Sequence, residues 1–220
     1  MRIDIWSDVI CPWCYIGKRR LERALSAFEH ADKVEVQWRS FELDPHAPPV
    51  RQEDLTARLA RKYAITMDQA SAANPRMTAL AAADGLPYRL EAARPGNSFN
   101  AHRLIHLARD HGLQDQVKER FFAAYFCEGQ AIGDAHILQS QATAAGLDGT
   151  EVKELLEGDA YAHAVRADET EAAGREITGV PYFLVDGRFA IPGAQEVDTI
   201  LAILRRAWVK SAVLWEPGPR

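Results

Sequence analysis

The sequence predicts an α/β protein in which one small sheet is divided by a large all-helical block. Three observations carry this. Strand patterns occur only in the first forty residues and again after residue 180, helical patterns fill the interval, and Cys11-Pro12-Trp13-Cys14 stands where the first strand gives way to the first helix. At 220 residues, 47% of them apolar, the chain can bury a substantial core as one domain with an insertion.

The elements follow in order. Arg2 to Trp6 is short and rich in Ile and Trp, and Val34, Val36 and Trp38 alternate with polar residues, the period of a half-buried strand. Between them Cys14, Gly17, Leu21, Ala24, Leu25 and Phe28 recur at three- and four-residue intervals, with Lys18, Arg19, Arg20, Glu22 and Arg23 expected on a solvated face. A crossover of this length makes the two strands parallel neighbours. Helices are expected over residues 52–63, 67–84, 98–111, 114–128, 134–145 and 150–157, with Ser98 and Asp134 as N-caps and Gly112 and Gly146 as stops. Pro75 should kink or restart the helix it falls in. A helix over about 159–176 leads to Gly179-Val180-Pro181. Tyr182–Val185 then reads as a strand, Asp186-Gly187 as a two-residue hairpin turn, and Arg188–Ile191 as the antiparallel partner. A last helix covers about Gln195–Lys210. The expected division is residues 1–43 and 159–212 for the α/β part, 44–158 for the helical insertion, and 213–220 for a tail.

Composition narrows the function. A net charge of −5 argues against a phosphate-neutralising surface, so no nucleic-acid partner is expected. No run approaches the roughly 20 apolar residues of a membrane helix, and Met1-Arg2-Ile3-Asp4-Ile5 has no signal-like apolar region, so a cytoplasmic protein without a membrane partner is expected. Three cysteines, Cys11, Cys14 and Cys127, are too few for a disulfide framework. A structural zinc site needs four ligands. There is no second pair, His102 and His106 read as structural histidines, and no metal is expected.

The cysteine pair therefore points to redox chemistry. Pro12 falls at the first helical position, where its missing N–H costs nothing, which makes Cys11 the N-cap. A sulfur there can accept from the free amides of the first turn and meets the positive end of the helix dipole, both favouring thiolate. Two residues between the cysteines within one turn let the sulfurs bond. Cys11 is then the exposed sulfur that forms a mixed disulfide, and Cys14, one turn inside the helix, the buried one that resolves it. Cys127 is read as a buried core thiol.

The order of elements, together with Ser7-Asp8-Val9-Ile10 before the motif, Asn97-Ser98-Phe99-Asn100-Ala101-His102-Arg103, Ala124-Tyr125-Phe126-Cys127-Glu128-Gly129 and Thr178-Gly179-Val180-Pro181-Tyr182-Phe183, resembles the DsbA-like branch of the thioredoxin superfamily and its FrnE-like cytoplasmic group. The resemblance implies a thioredoxin-like fold and a protein disulfide oxidoreductase with Cys11 and Cys14 as catalytic residues. It further implies that Trp13, Val180 and Pro181 bind substrate, with Pro181 cis beside the dithiol. No tightly bound cofactor is implied; a protein or small-molecule disulfide or thiol is the substrate, with glutathione as a candidate co-substrate. The superfamily keeps a buried acid six positions before the first cysteine, where this chain has Ile5; Asp8 and His102 are the candidates to replace it. Two other readings compete. Relatives of this architecture include glutathione-dependent transferases of the kappa class and 2-hydroxychromene-2-carboxylate isomerases, and the helical block could instead serve a chaperone-like binding module.

Overall fold

The computed structural model describes residues 1–213, with side chains through residue 210. Strands β1 (Arg2–Ser7) and β2 (Glu35–Ser40) from the start of the chain join β3 (Tyr182–Val185) and β4 (Phe189–Pro192) from its end in one sheet, ordered β2-β1-β3-β4. β1 and β2 are parallel, with Ile5 opposite Trp38, as the crossover through α1 (Pro12–Ser26) requires. β3 runs antiparallel to β1, with Ile5 opposite Phe183, and β4 antiparallel to β3. Successive side chains of β1 point to opposite faces. Ile3 and Ile5 enter the main core, while Trp6 joins Ala172, Ile177 and Leu184 in a smaller cluster on the other side.

Between β2 and β3 lie α2 (Leu55–Tyr63), α3 (Met67–Ala83), α4 (Phe99–Asp110), α5 (Gln114–Phe126), α6 (Ala135–Ala144), α7 (Gly149–Glu157) and α8 (Ala162–Gly174); α9 (Val197–Val213) follows the hairpin and packs on α1. The expected tail lies, apart from its first residue, outside the described residues. Asp134 caps α6, its Oδ1 accepting from the amides of His136 and Ile137 at 2.8 and 3.2 Å. Gly112 and Gly146 stop α4 and α6 at φ +70° and +107°, where glycine alone avoids a Cβ penalty.

Several expectations need correction. Helix α3 runs through Pro75 without restarting; Pro75 and Ser71, whose carbonyl loses its partner, are both exposed, so water can satisfy that carbonyl. Ser98 stands at the N-cap of α4 but makes no capping bond. The Asn97 side chain accepts from the Phe99 amide at 2.8 Å instead, and the Ser98 hydroxyl is engaged with Asp8. The hairpin turn takes three residues, because pairing begins at Val185 and Phe189 and leaves Arg188 in the turn. Lys18 and Arg20 on the charged face of α1 are covered, while Arg23 stays exposed. Lys18, 3% exposed, pairs with Glu22, Asp115 and Glu119, and Arg20 with Asp84 at 2.9 Å. An amphipathic pattern records which face is apolar, and here neighbouring carboxylates cover part of the other.

Candidate active site

β1 delivers the chain to Asp8, and two backbone turns seat the dithiol at the head of α1: the Cys11 amide donates to the Asp8 carbonyl at 3.1 Å and the Cys14 amide to the Cys11 carbonyl at 3.0 Å. Cys11 is the N-cap, in extended backbone at φ −93° and ψ 113°, with Pro12 at the first helical position. Its sulfur makes no capping bond. As a thiol it instead donates to the Val180 carbonyl, 3.4 Å away. The Val180–Pro181 peptide bond is cis and opens β3 beside the dithiol. Gly17 makes this approach possible, since a Cβ there would meet Pro181 Cγ at 3.0 Å and Phe183 Cζ at 3.2 Å.

Both cysteines are free, and neither is exposed. Cys14 has no accessible surface and Cys11 only 4%, which corrects the expectation of an exposed attacking sulfur. Cys11 is reached through a cavity of about 350 Å³ that it lines together with Trp13, Arg58, Met77, Tyr125 and Val180. Residues of the helical block, Leu55, Arg58 and Met77 among them, form the wall of this cavity facing Cys11. Trp13, 39% exposed, stands at this opening. The Tyr125 hydroxyl in the wall is buried and has no hydrogen-bond partner among the described residues. Tyr88 braces the motif by donating to the Pro12 carbonyl at 2.7 Å. Cys127 is half-buried rather than a core thiol, and lies outside the cavity.

Electrostatics separate the groups around the dithiol. Burial, reinforced by hydrogen bonding and charge from Cys11, pushes the Cys14 thiol well above its ordinary range. Burial also opposes ionisation of Asp8, but His102, the Leu43 amide (2.7 Å) and Ser98 outweigh it and hold this carboxyl below the usual range. Burial lowers the His102 imidazole despite Asp8, 3.4 Å away. Both shifts run away from neutrality. Lys118, on α5 and wholly buried, is pulled down to about 8 by burial against the attraction of Cys14, Asp8 and Cys11. Sequence reasoning passed over Lys118. Its signal was a lysine on the apolar stripe of a helix, flanked by Val117, Phe121, Phe122 and Tyr125 at the three- and four-residue spacing.

A four-stranded sheet divided by helices, with Cys-x-x-Cys at the first helix and a cis-proline across from it, defines the DsbA-like class of thioredoxin folds. The chain belongs to that family, the DSBA-like thioredoxin domain, which it matches over residues 2–205. It is 32% identical over 199 residues to YwbO of Bacillus subtilis (strain 168), an uncharacterized protein, covering 90% of this chain and 92% of that one. The crystal structure of the probable DsbA oxidoreductase SCO1869 from Streptomyces coelicolor superposes with a TM-score of 0.91 at 41% identity, over 100% of this chain and 92% of the other. The cytosolic disulfide reductase DsbM from Pseudomonas aeruginosa shares the fold, with a TM-score of 0.65 at 17% identity over 96% of this chain and 100% of that one; its structure has also been solved with GSH. Among the described residues no helix is long and apolar enough to cross a membrane.

Proposed function

We propose that the protein is a thiol–disulfide oxidoreductase working through a dithiol–disulfide cycle at Cys11 and Cys14. The observation that carries this is the inequality of the two sulfurs. Cys11 opens onto a cavity beside the Val180 carbonyl, and Cys14 is sealed one turn behind it. Cys11 thiolate attacks a substrate disulfide, expelling one half as a thiolate and keeping the other as a mixed disulfide. Cys14 then attacks the Cys11 sulfur, forming the internal disulfide and releasing the second half. Trp13 and the backbone at Val180 and Pro181 hold the bound half against α1. The cavity of about 350 Å³ suits a small disulfide or one extended segment, and glutathione, found with DsbM, is the co-substrate this reading favours. A cytoplasmic setting and net reduction of disulfides follow the same comparison with DsbM.

The test is to trap the intermediate. Cys14→Ser should accumulate covalent adducts through Cys11 and lose steady-state turnover by at least about a hundredfold, read by mass spectrometry and a disulfide-reduction assay. An active wild-type protein whose Cys14→Ser variant turns over normally and captures nothing overturns the cycle. Glutathione-dependent isomerisation that persists in Cys11→Ser assigns the site to the isomerase reading instead.

A further inference from the structure

The cavity over Cys11 is apolar along most of its wall, with Leu43, Leu55, Leu59 and Met77 facing it, and its charged members are of one sign. Arg58 and Lys62 line it, and among the described residues no carboxylate does. The positive charge is not balanced close by. Arg51, Arg58 and Arg61 share two carboxylates: Asp44 is held by Arg51 at 2.5 Å and by Arg58 at 3.1 Å, and Glu53 turns to Arg61 at 2.6 Å. Lys62 makes no ion pair among the described residues, its Nζ standing 5.5 Å from the centre of the Tyr63 ring. Only Nη2 of Arg58 donates to Asp44, and a guanidinium has further donors in its fork. In the same wall the hydroxyl of Tyr125, a residue 1% exposed, has no partner among the described residues. Burial pushes its phenol up and the Arg58 charge opposes this, so the guanidinium lies within electrostatic reach of the hydroxyl. A buried hydroxyl left unpaired is costly unless something arrives to accept from it.

Resting on the dithiol cycle above, we propose that this cavity selects disulfides whose Cys11-bound half carries a carboxylate on a short apolar frame. The frame packs on Leu55, Leu59 and Met77, the carboxylate accepts from Arg58 and from the Tyr125 hydroxyl, and the sulfur stays at Cys11 beside the Val180 carbonyl. Arg58 suits the task, because its fork matches the two oxygens of a carboxylate and such a bond is stronger in an apolar enclosure than in water. Lys62 is exposed and adds a positive field that draws an anion toward the cavity. A cationic half would lose its water and find no carboxylate in this lining. An uncharged half gains no charge-assisted bond from Arg58. Glutathione, as co-substrate, acts at the later step in which its thiol reopens the internal disulfide, and is not the half selected here.

The experiment uses the full-length chain and two disulfides of the same shape, dithiodipropionate and its uncharged diamide. The kcat/KM for each is divided by its uncatalysed rate with dithiothreitol, which removes differences in intrinsic reactivity. The wild type should prefer the acid by about tenfold or more. Arg58→Met should cut that preference to about twofold or less, with the loss falling on KM. Tyr125→Phe should cut it about threefold. The phenylalanine variant removes only an unpartnered hydroxyl, so its melting temperature should match or exceed the parent's, and it decides the matter if Arg58→Met does not fold. A purely structural role for Arg58 through Asp44 would lower turnover of both disulfides in proportion and leave the preference as it was. An acid preference absent from the wild type, or unchanged in Tyr125→Phe or in a folded Arg58→Met, overturns the selection while leaving disulfide turnover intact. Absence of disulfide turnover in the wild type overturns the dithiol cycle and this selection together.

Discussion

Each face of the sheet buries a charged group, Asp168 from α8 on the side of Trp6 and Lys118 from α5 on the side of Ile5, and the two are treated differently. Asp168 is fully engaged: Arg39 donates to it at 3.0 Å, the Ser40 amide at 2.8 Å, and His106 Nε2 lies 3.0 Å away. Among the described residues Lys118 has one long hydrogen bond, to the Ser7 carbonyl at 3.5 Å, and no ion pair. A buried charge with partners on both of its oxygens fixes geometry, whereas one left short of partners is held by packing alone. Burial alone does not mark function.

The comparison can be broken most directly at Asp168. Asp168→Ala should cost about 3–5 kcal/mol in urea unfolding, because Arg39 and the Ser40 amide lose their acceptor. A loss under about 1 kcal/mol would erase the distinction. Burial opposes the Asp168 charge, but the His106 and Ser40 hydrogen bonds and the charges of His106 and Arg39 hold its carboxyl below the usual range. Its stabilisation is therefore complete above the unfolded value of about 3.9 and is lost as the pH falls through the lower folded value. The stability gap to Asp168→Asn should accordingly close on acidification. A smaller effect is expected at Gly17. There an added Cβ pushes α1 from Pro181, so Gly17→Ala should cost about 1–3 kcal/mol and reduce turnover. Smallest, Asp134→Ala should cost about 1 kcal/mol in unfolding experiments through the lost cap of α6 and leave turnover untouched.

Local chemistry explains which parts were legible in the sequence. The strands, their pairing directions and the seat of Cys-Pro-Trp-Cys at the head of α1 follow from side-chain period, crossover length and a proline at the first helical position. The cis bond at Val180–Pro181 came only from resemblance. What stayed hidden depends on contacts made across the fold. Cys11 reads as exposed until α2, α3 and Tyr125 close a cavity over it. Lys18 and Arg20 read as solvated until Glu119 and Asp84 arrive from elsewhere in the chain. Lys118 was visible as a lysine out of place on an apolar stripe, but the Ser7 carbonyl and Trp38 ring beside it belong to strands far away in the chain, and no local pattern records that meeting.

The placement of the sheet strands at opposite ends of the chain has a consequence for synthesis. Cys11 and the carbonyl it meets at Val180 are 169 positions apart, which at 5–20 residues per second separates their emergence by roughly ten to thirty seconds. During that interval β1 can pair with β2 alone, and the nascent dithiol has neither the proline opposite it nor the wall at Gly179 and Val180. The site is completed by the last segments to be made. A chain cut short before β3 would carry the same two cysteines as ordinary thiols, reactive without selection.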